Sequence, residues 1–221
     1  MDGPRLVVPS DAHAAFAATG RYLCPAPLVA IISGPSAVGK DSVIKRMREL
    51  RYPFHFVVTA TDRPPRPGEV DGVDYRFVST AEFARMVAAN ELFEHALVYG
   101  QYKGIPKAEV REALRRGVDV ILRIDVQGTA TVRRLVPQAV TVFLVPPSLD
   151  VLIDHLRRRA GDSPQQMQRR LEIAIGEMRR IEEFDYVVVN REGSLDETVR
   201  EIAAIITAEK RRAVRRETIV L

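Results

Sequence analysis

The chain has 221 residues, 46% hydrophobic and 28% charged, and its 33 basic and 29 acidic side chains leave a net charge of +4. That length buries a full core and that composition is an ordinary globular one, which excludes a disordered polyelectrolyte or a disulfide-stapled miniprotein. A lone cysteine, Cys24, and four scattered histidines exclude an intrachain disulfide and a thiolate metal cluster, and no apolar run nears the ~18 residues that span a bilayer.

Residues 1–27 carry Pro4, Pro9, Pro25 and Pro27 around an alanine-rich stretch from Ala12 to Ala18, the pattern of an extension with one short helix. Asp2 and Asp11 and the absence of a charged-then-apolar order argue against a secretory signal, so a cytoplasmic location is expected, with an organelle matrix left open. Leu28 to Ser33 then reads as a buried strand. It runs into Gly34-Pro35-Ser36-Ala37-Val38-Gly39-Lys40-Asp41-Ser42, and a helical pattern continues through Val43, Ile44, Met47 and Leu50. A strand, a glycine-rich turn ending in Gly-Lys, and a helix make a phosphate-binding P-loop. Its backbone N–H groups curl around a phosphate, the helix N-terminus adds positive dipole, and the lysine reaches the terminal phosphates. Asp41 departs from the motif, which places a Ser or Thr hydroxyl there to hold magnesium.

Phe54 to Thr61 is rich in β-branched and aromatic residues and predicts one strand. Arg63-Pro64-Pro65-Arg66-Pro67-Gly68 breaks it with a stiff turn that presents two guanidinium forks. Val73 to Val78 predicts a further strand, and Ser79 or Thr80 with Glu82 opens a helix carrying Phe83, Met86 and Val87. Asp119 to Asp125 and Ala139 to Val145 read as buried strands, the second ended by Pro146-Pro147. Leu149, Leu152, Ile153 and Leu156 share a helix face, Phe184 to Val189 predicts a short strand, and a last amphipathic helix runs from Leu195 past Ile206 before fraying into a basic tail.

Alternating strands and helices predict an α/β fold, a parallel sheet flanked by helices, and residues 58–107 interrupt the alternation as an inserted β-rich lobe. Arg63, Arg66 and Tyr75 of that lobe can hold a phosphate, and Glu94 can hold a different group. The arginine clusters at 157–159, 169–170, 179–180 and 211–216 lack interleaved aromatics, so no nucleic-acid partner is expected.

The run from Thr61 to Ser79, TDRPPRPGEVDGVDYRFVS, resembles the signature of guanylate kinases, as do Ile124 to Gly128, Phe143 to Ser148 and Asp185 to Asn190. The likeness spans about residues 28 to 210. It implies a P-loop nucleoside monophosphate kinase with a core at 28–57, 108–148 and 177–221, a GMP-binding lobe at 58–107 and a helical lid at 149–176. The implied reaction is ATP + GMP ⇌ ADP + GDP with Mg²⁺, and dGMP as a further acceptor. The implied partners are small molecules, with no membrane, on a monomer or small homo-oligomer.

By that similarity Lys40 contacts the transferred phosphoryl, the backbone from Gly34 to Ser42 wraps the ATP phosphates, and Asn190 lies near adenine. Arg63, Arg66 and Tyr75 clamp the GMP phosphate, with Glu69, Lys103 and Asp125 in the same site and Thr59 as a guanine-contacting hydroxyl. Arg159 and Arg170 close from the lid, so that Lys40, Arg63, Arg159 and Arg170 form the catalytic set. Glu94 reads the base, because one carboxylate accepts from both N1–H and the N2 amine of guanine, whereas adenine offers an acceptor at N1. No general base is needed, since the accepting phosphate is already an anionic nucleophile.

Five positions depart from the family pattern: Asp41, Lys103 for a tyrosine, Ile105 for a Ser or Thr, Arg123 for an acid, and His155 for a lid arginine. The combination of Gly39-Lys40-Asp41, Tyr102 to Lys107 and Leu122-Arg123-Ile124-Asp125 resembles the plant organellar type of guanylate kinase. Asp41 and Arg123 partly offset each other in charge. Asp41 either ligates magnesium, with Asp125 as a second acid, or pairs with Arg123 across the strand ends. Guanylate-kinase-like scaffold domains that hold peptides typically lack an intact P-loop, and this chain keeps Lys40 and both glycines.

Overall fold

The computed structural model describes residues 9–17, 19–98, 100–158 and 163–213. Its core is a parallel five-stranded sheet in the order β2-β7-β1-β8-β9, formed by β1 (Val29–Ser33), β2 (Phe54–Phe56), β7 (Asp119–Arg123), β8 (Val140–Val145) and β9 (Tyr186–Val189). β1 is central and buried at every residue, as a continuous apolar run in a parallel sheet requires. Its side chains alternate between two layers. Ala30 and Ile32 pack on α3 (Lys40–Glu49) and α9 (Leu195–Lys210) through Met47 and Ile202, while Val29 and Ile31 join α5 (Lys107–Arg115) and α6 (Val126–Leu135) through Val110 and Val132.

This topology decides where a ligand goes. The neighbours of β1 are β7 and β8, both later in the chain, so the turn after β1 opens at a switch point of the sheet. Gly34 begins that turn at φ 140°, and a Cβ there would run into the carbonyl oxygen of Leu144 on β8. Only glycine lets the loop pass so close to the next strand.

The inserted lobe is a second sheet, β4-β3-β6-β5, from β3 (Ala60–Thr61), β4 (Arg76–Phe77), β5 (Leu92–Val98) and β6 (Gln101–Pro106), with α4 (Thr80–Ala88) against it. Ser79 caps α4 by accepting from the Glu82 amide at 3.1 Å, and Ala60, Phe83, Met86 and Leu92 make a small separate core.

The single strand expected at Phe54 to Thr61 is two strands in different sheets, because Val57 to Thr59 carry the chain from core to lobe. The β-branched run marks burial in both. The strand expected at Val73 to Val78 shrinks to Arg76–Phe77. Asp74 takes the amide of Val70 and Asp71 that of Phe77, which folds the first half into a turn.

Two helices cover the P-loop. α7 (Leu149–Arg157) and α8 (Pro164–Met178) pack through Leu152, Leu156 and Ala174, with Ala37 of the loop alongside. α8 runs to Met178, past the lid boundary expected at 176. The N-terminal extension holds α1 (Ala12–Ala17) and α2 (Gly20–Leu23) in place of one expected helix, and the expected basic tail lies largely outside the described residues. Among the described residues no helix is long and apolar enough to cross a membrane.

Gly34→Ala is expected to destabilise the protein by about 2–4 kcal/mol in urea denaturation, since backbone of β8 must move to admit one methyl. A loss below about 1 kcal/mol would show that the loop is not fixed against that strand.

Candidate active site

A cleft of about 450 Å³ lies where core, lobe and helix pair meet, lined by the P-loop from Ser36 to Ser42, by Arg63, Arg66, Tyr75, Glu94 and Lys103, and by Arg170 and Glu177. Gly39 takes φ 96°, and a Cβ there would stand 2.5 Å from the Asn190 amide nitrogen. Asn190, expected near adenine, lines the cleft but spends its amide on the loop itself. It donates to the Val38 carbonyl at 2.8 Å and accepts from the Thr198 hydroxyl at 3.0 Å. It therefore sets the curvature of the anion nest.

Lys40 curls back to donate to the carbonyls of Gly34 at 2.6 Å and Pro35 at 2.9 Å. Burial lowers its pKa to about 8, against the opposing pull of Glu177 and Asp41. Glu177 is a site residue that sequence reasoning missed. Its carboxylate accepts from the Ser36 amide at 3.2 Å, and burial pushes its pKa up. The signal that could have found it is helical spacing: Glu177 lies three residues after buried Ala174, on the inward side of α8.

In the lobe, Arg63 is almost fully buried and makes a two-pronged pair with Glu69 at 2.6 and 2.7 Å. Burial is the largest single influence on Arg63 and works against its charge. The hydrogen bonds that Arg63 donates to Glu69, the charge of Glu69 and the nearby Tyr75 together exceed that influence and raise the pKa. Glu69 also accepts from the Arg66 amide at 2.7 Å, so this residue, expected in the GMP site, braces the two arginines. The Arg63 guanidinium lies 4.6 Å from the Tyr75 ring centre.

Glu94 and Thr59 are different in kind. Both are buried in the cleft wall, and Glu94 Oε1 and the Thr59 hydroxyl have no hydrogen-bond partner among the described residues. An orphaned buried polar atom costs about 1–3 kcal/mol, so two facing one cleft mark a place where a ligand supplies the missing bonds. Burial raises the Glu94 pKa to about 8, helped by the charge of Asp125 and opposed by Lys103. Gly128 makes the room, since a Cβ on it would lie 2.8 Å from Glu94 Oε1. Ile105 is fully buried in the core layer with Val29 and Ile31.

Asp41 lies in the first turn of α3 and pairs with Arg123, whose Nη1 donates to Asp41 Oδ1 at 2.7 Å. Asp125 caps α6, accepting from the amides of Gln127 at 2.9 Å and Gly128 at 3.0 Å. Among the described residues no group of three acidic, His or Cys side chains is placed to hold a metal. Magnesium, however, keeps several waters and takes one or two carboxylates plus substrate phosphates. Asp41 and Asp125 both line the cleft, which fits an ion that arrives on a nucleotide. In the helix pair, His155 Nδ1 meets the Ala37 carbonyl at 3.1 Å and Arg158 pairs with Glu192 at 3.0 Å. Arg170 lines the cleft, and Arg159 lies outside the described residues.

Residues 27–209 match the family model for guanylate kinase. The chain belongs to the guanylate kinase family. It is 48% identical to guanylate kinase 2, chloroplastic/mitochondrial, of Oryza sativa subsp. japonica, over 87% of this chain and 68% of that one. A guanylate kinase of Thermus thermophilus is 47% identical over 84% of this chain and 83% of its own. The crystal structure of guanylate kinase from Anaplasma phagocytophilum superposes with a TM-score of 0.69 at 29% identity, covering 85% of this chain and 88% of that one. Membership in the guanylate kinase family makes the chain an ATP:GMP phosphotransferase on an α/β P-loop fold.

The Glu94 carboxyl has a folded pKa near 8, above the ordinary carboxylate value of 4.5, so the folded state holds the extra proton and stability falls as pH rises from about 4.5 to 8. Glu94→Gln is therefore expected to raise Tm by several degrees at pH 8 and by much less at pH 4.5, read by calorimetry. An equal shift at both pH values would mean that Glu94 is ionised throughout.

Proposed function

We propose that the phosphoryl transfer runs in this cleft with ATP on the P-loop and GMP in the lobe, base against Glu94 and phosphate against Arg63, Arg66 and Tyr75. The observation that carries this assignment is Glu94: a buried carboxylate with an orphaned oxygen, beside an orphaned Thr59 hydroxyl, in one wall of the cleft that holds the P-loop. Guanine offers two adjacent donors to such a group. Adenine presents an acceptor at N1 and cannot satisfy the carboxylate form that guanine's two donors stabilise. A site built around a buried hydrogen-bonding group can reject the wrong partner by ~10⁴ or more. Because base and phosphate supply the recognition, dGMP serves as well as GMP.

The chemistry asks for position and charge neutralisation. In this reading Lys40 exchanges the Gly34 and Pro35 carbonyls for phosphate oxygens, and the amides from Ser36 to Asp41 take the remaining lone pairs. Glu177 releases the Ser36 amide to a phosphate. Mg²⁺ carried on the nucleotide would be held through its water shell by Asp41 and Asp125 and would offset charge on the β- and γ-phosphates. Lys103 adds a cation beside the lobe site. The core is taken as 28–57, 108–148 and 177–221, the GMP lobe as 58–107, and the lid as 149–176 with the end of α8 attached to it. Closure of the lid brings Arg170, and in the family pattern Arg159, over the phosphates and excludes water that would hydrolyse ATP.

Apart from Arg159, the residues assigned to the site come from described segments of one chain, which supports a monomer or a small homo-oligomer without a shared site. The single exposed Cys24 suits a reducing compartment, cytoplasm or an organelle matrix.

A coupled ADP-release assay with ATP and Mg²⁺, comparing GMP, AMP, CMP and UMP, tests the assignment. Turnover is expected with GMP alone, and Glu94→Gln is expected to lower kcat/KM for GMP at least 100-fold, about 3 kcal/mol. Turnover that survives Glu94→Gln would place guanine elsewhere. Folded protein that binds GMP and turns over no acceptor would point to a peptide-holding module.

A further inference from the structure

We infer that Arg123 is a positioning residue that fixes the P-loop helix and the GMP-phosphate clamp at one separation, with Asp41 as its anchor; the inference rests on the substrate assignment above. Arg123 ends β7, in register with Ile32 one residue before the end of β1, and its side chain is only 10% exposed. One guanidinium touches three things that belong to two sites. Nη1 donates to Asp41 Oδ1 at 2.7 Å in the first turn of α3, the helix that carries Lys40. Nη2 donates to the Asp74 carbonyl at 2.8 Å, in the turn that delivers Tyr75. The plane of the group lies over Tyr75 itself, 4.3 Å from the ring centre.

This span matters because the reaction joins what the two sites hold. Phosphoryl transfer needs its reacting atoms within about 3–3.5 Å and in line, so the spacing of donor and acceptor sites governs the rate even when each site binds well. A guanidinium suits such a brace, being planar and always charged. Its rigid fork holds two acceptors in one fixed plane, a geometry that the freely rotating donors of a lysine ammonium do not impose.

The charge pattern explains why residue 41 is an aspartate. Without it, Arg123 would add an unbalanced cation next to Lys40 and Arg63, and without Arg123 the aspartate would face the ATP phosphates as a bare anion. Each residue alone adds a charge to the site, and as a pair their charges sum to zero.

The test uses the full chain and the variants Arg123→Lys, Asp41→Asn and Asp41→Asn/Arg123→Lys, with kcat from the coupled assay and separate dissociation constants for GMP and ATP by calorimetry. The expected result is a fall in kcat of at least 10-fold in each single variant, dissociation constants within about 3-fold of the unmodified protein, and a double variant no worse than the poorer single one. Asp41 is about half exposed, so Asp41→Asn leaves the fold intact and carries the test if the Arg123 variants do not fold. Unchanged kcat in Asp41→Asn would overturn the inference. So would a weakening of GMP or ATP binding in proportion to the lost activity, which would make these residues direct ligands, or losses that multiply in the double variant. An unmodified protein that turns over no GMP would overturn the substrate assignment itself, whereas active unmodified protein with fully active variants would overturn only the coupling.

Discussion

A site for two polyanions must gather cations in a folded protein before any phosphate arrives, and unpaired charge removed from water is strongly destabilising. The cleft meets this constraint by giving its cations resident partners. Lys40 rests on two backbone carbonyls with Glu177 nearby, Arg63 on Glu69, Arg123 on Asp41, and Arg158 on Glu192. Two of these partners are replaceable by phosphate in the proposed reaction: the carbonyls under Lys40, and Glu177 on the Ser36 amide. Glu69 and Asp41 hold guanidiniums in orientation and stay where they are. The same pairing thus both stabilises the empty fold and aims its donors.

Glu94 is treated in the opposite way. It lacks a partner at Oε1, and its neighbours include the acid Asp125. The raised pKa resolves the apparent cost, because a carboxyl that carries a proton near neutral pH is not a buried bare charge. In the proposed binding mode guanine's two donors favour the anion, so binding would convert the group from neutral to charged and draw selectivity from that change. In that proposed mode fixed cations bind phosphate, and an acid that ionises on meeting two donors binds the base. One asks for anions of any kind and the other for one heterocycle.

Much of this was legible in the sequence. The five core strands lay in apolar runs, and the P-loop showed in Gly34, Gly39 and Lys40 because strand-turn-helix chemistry is local. The lobe clamp showed in the stiff Arg63 to Gly68 turn for the same reason. What escaped depends on side chains meeting across the fold. Nothing local says that Phe54 to Thr61 divides between two sheets, since β-branched residues suit either. Glu69 and Asn190 are expected as ligands by similarity, and nothing local shows that they also hydrogen-bond Arg63 and the Val38 carbonyl. Glu177 is one acid among many on an amphipathic helix until α8 is laid over the P-loop. The sequence already suggests a pairing of Asp41 with Arg123, 82 residues apart, and β7 puts the two in contact.

The central claim is that guanine completes the hydrogen bonds of Glu94 while phosphates displace the resident partners of the P-loop. A crystal structure with GMP and a non-hydrolysable ATP analogue tests it most directly. It should show Glu94 accepting from N1–H and the N2 amine, Lys40 moved from the Gly34 and Pro35 carbonyls to phosphate oxygens, and the Ser36 amide released by Glu177. Guanine bound away from Glu94, or Lys40 still on its carbonyls beneath an occupied P-loop, would contradict the account.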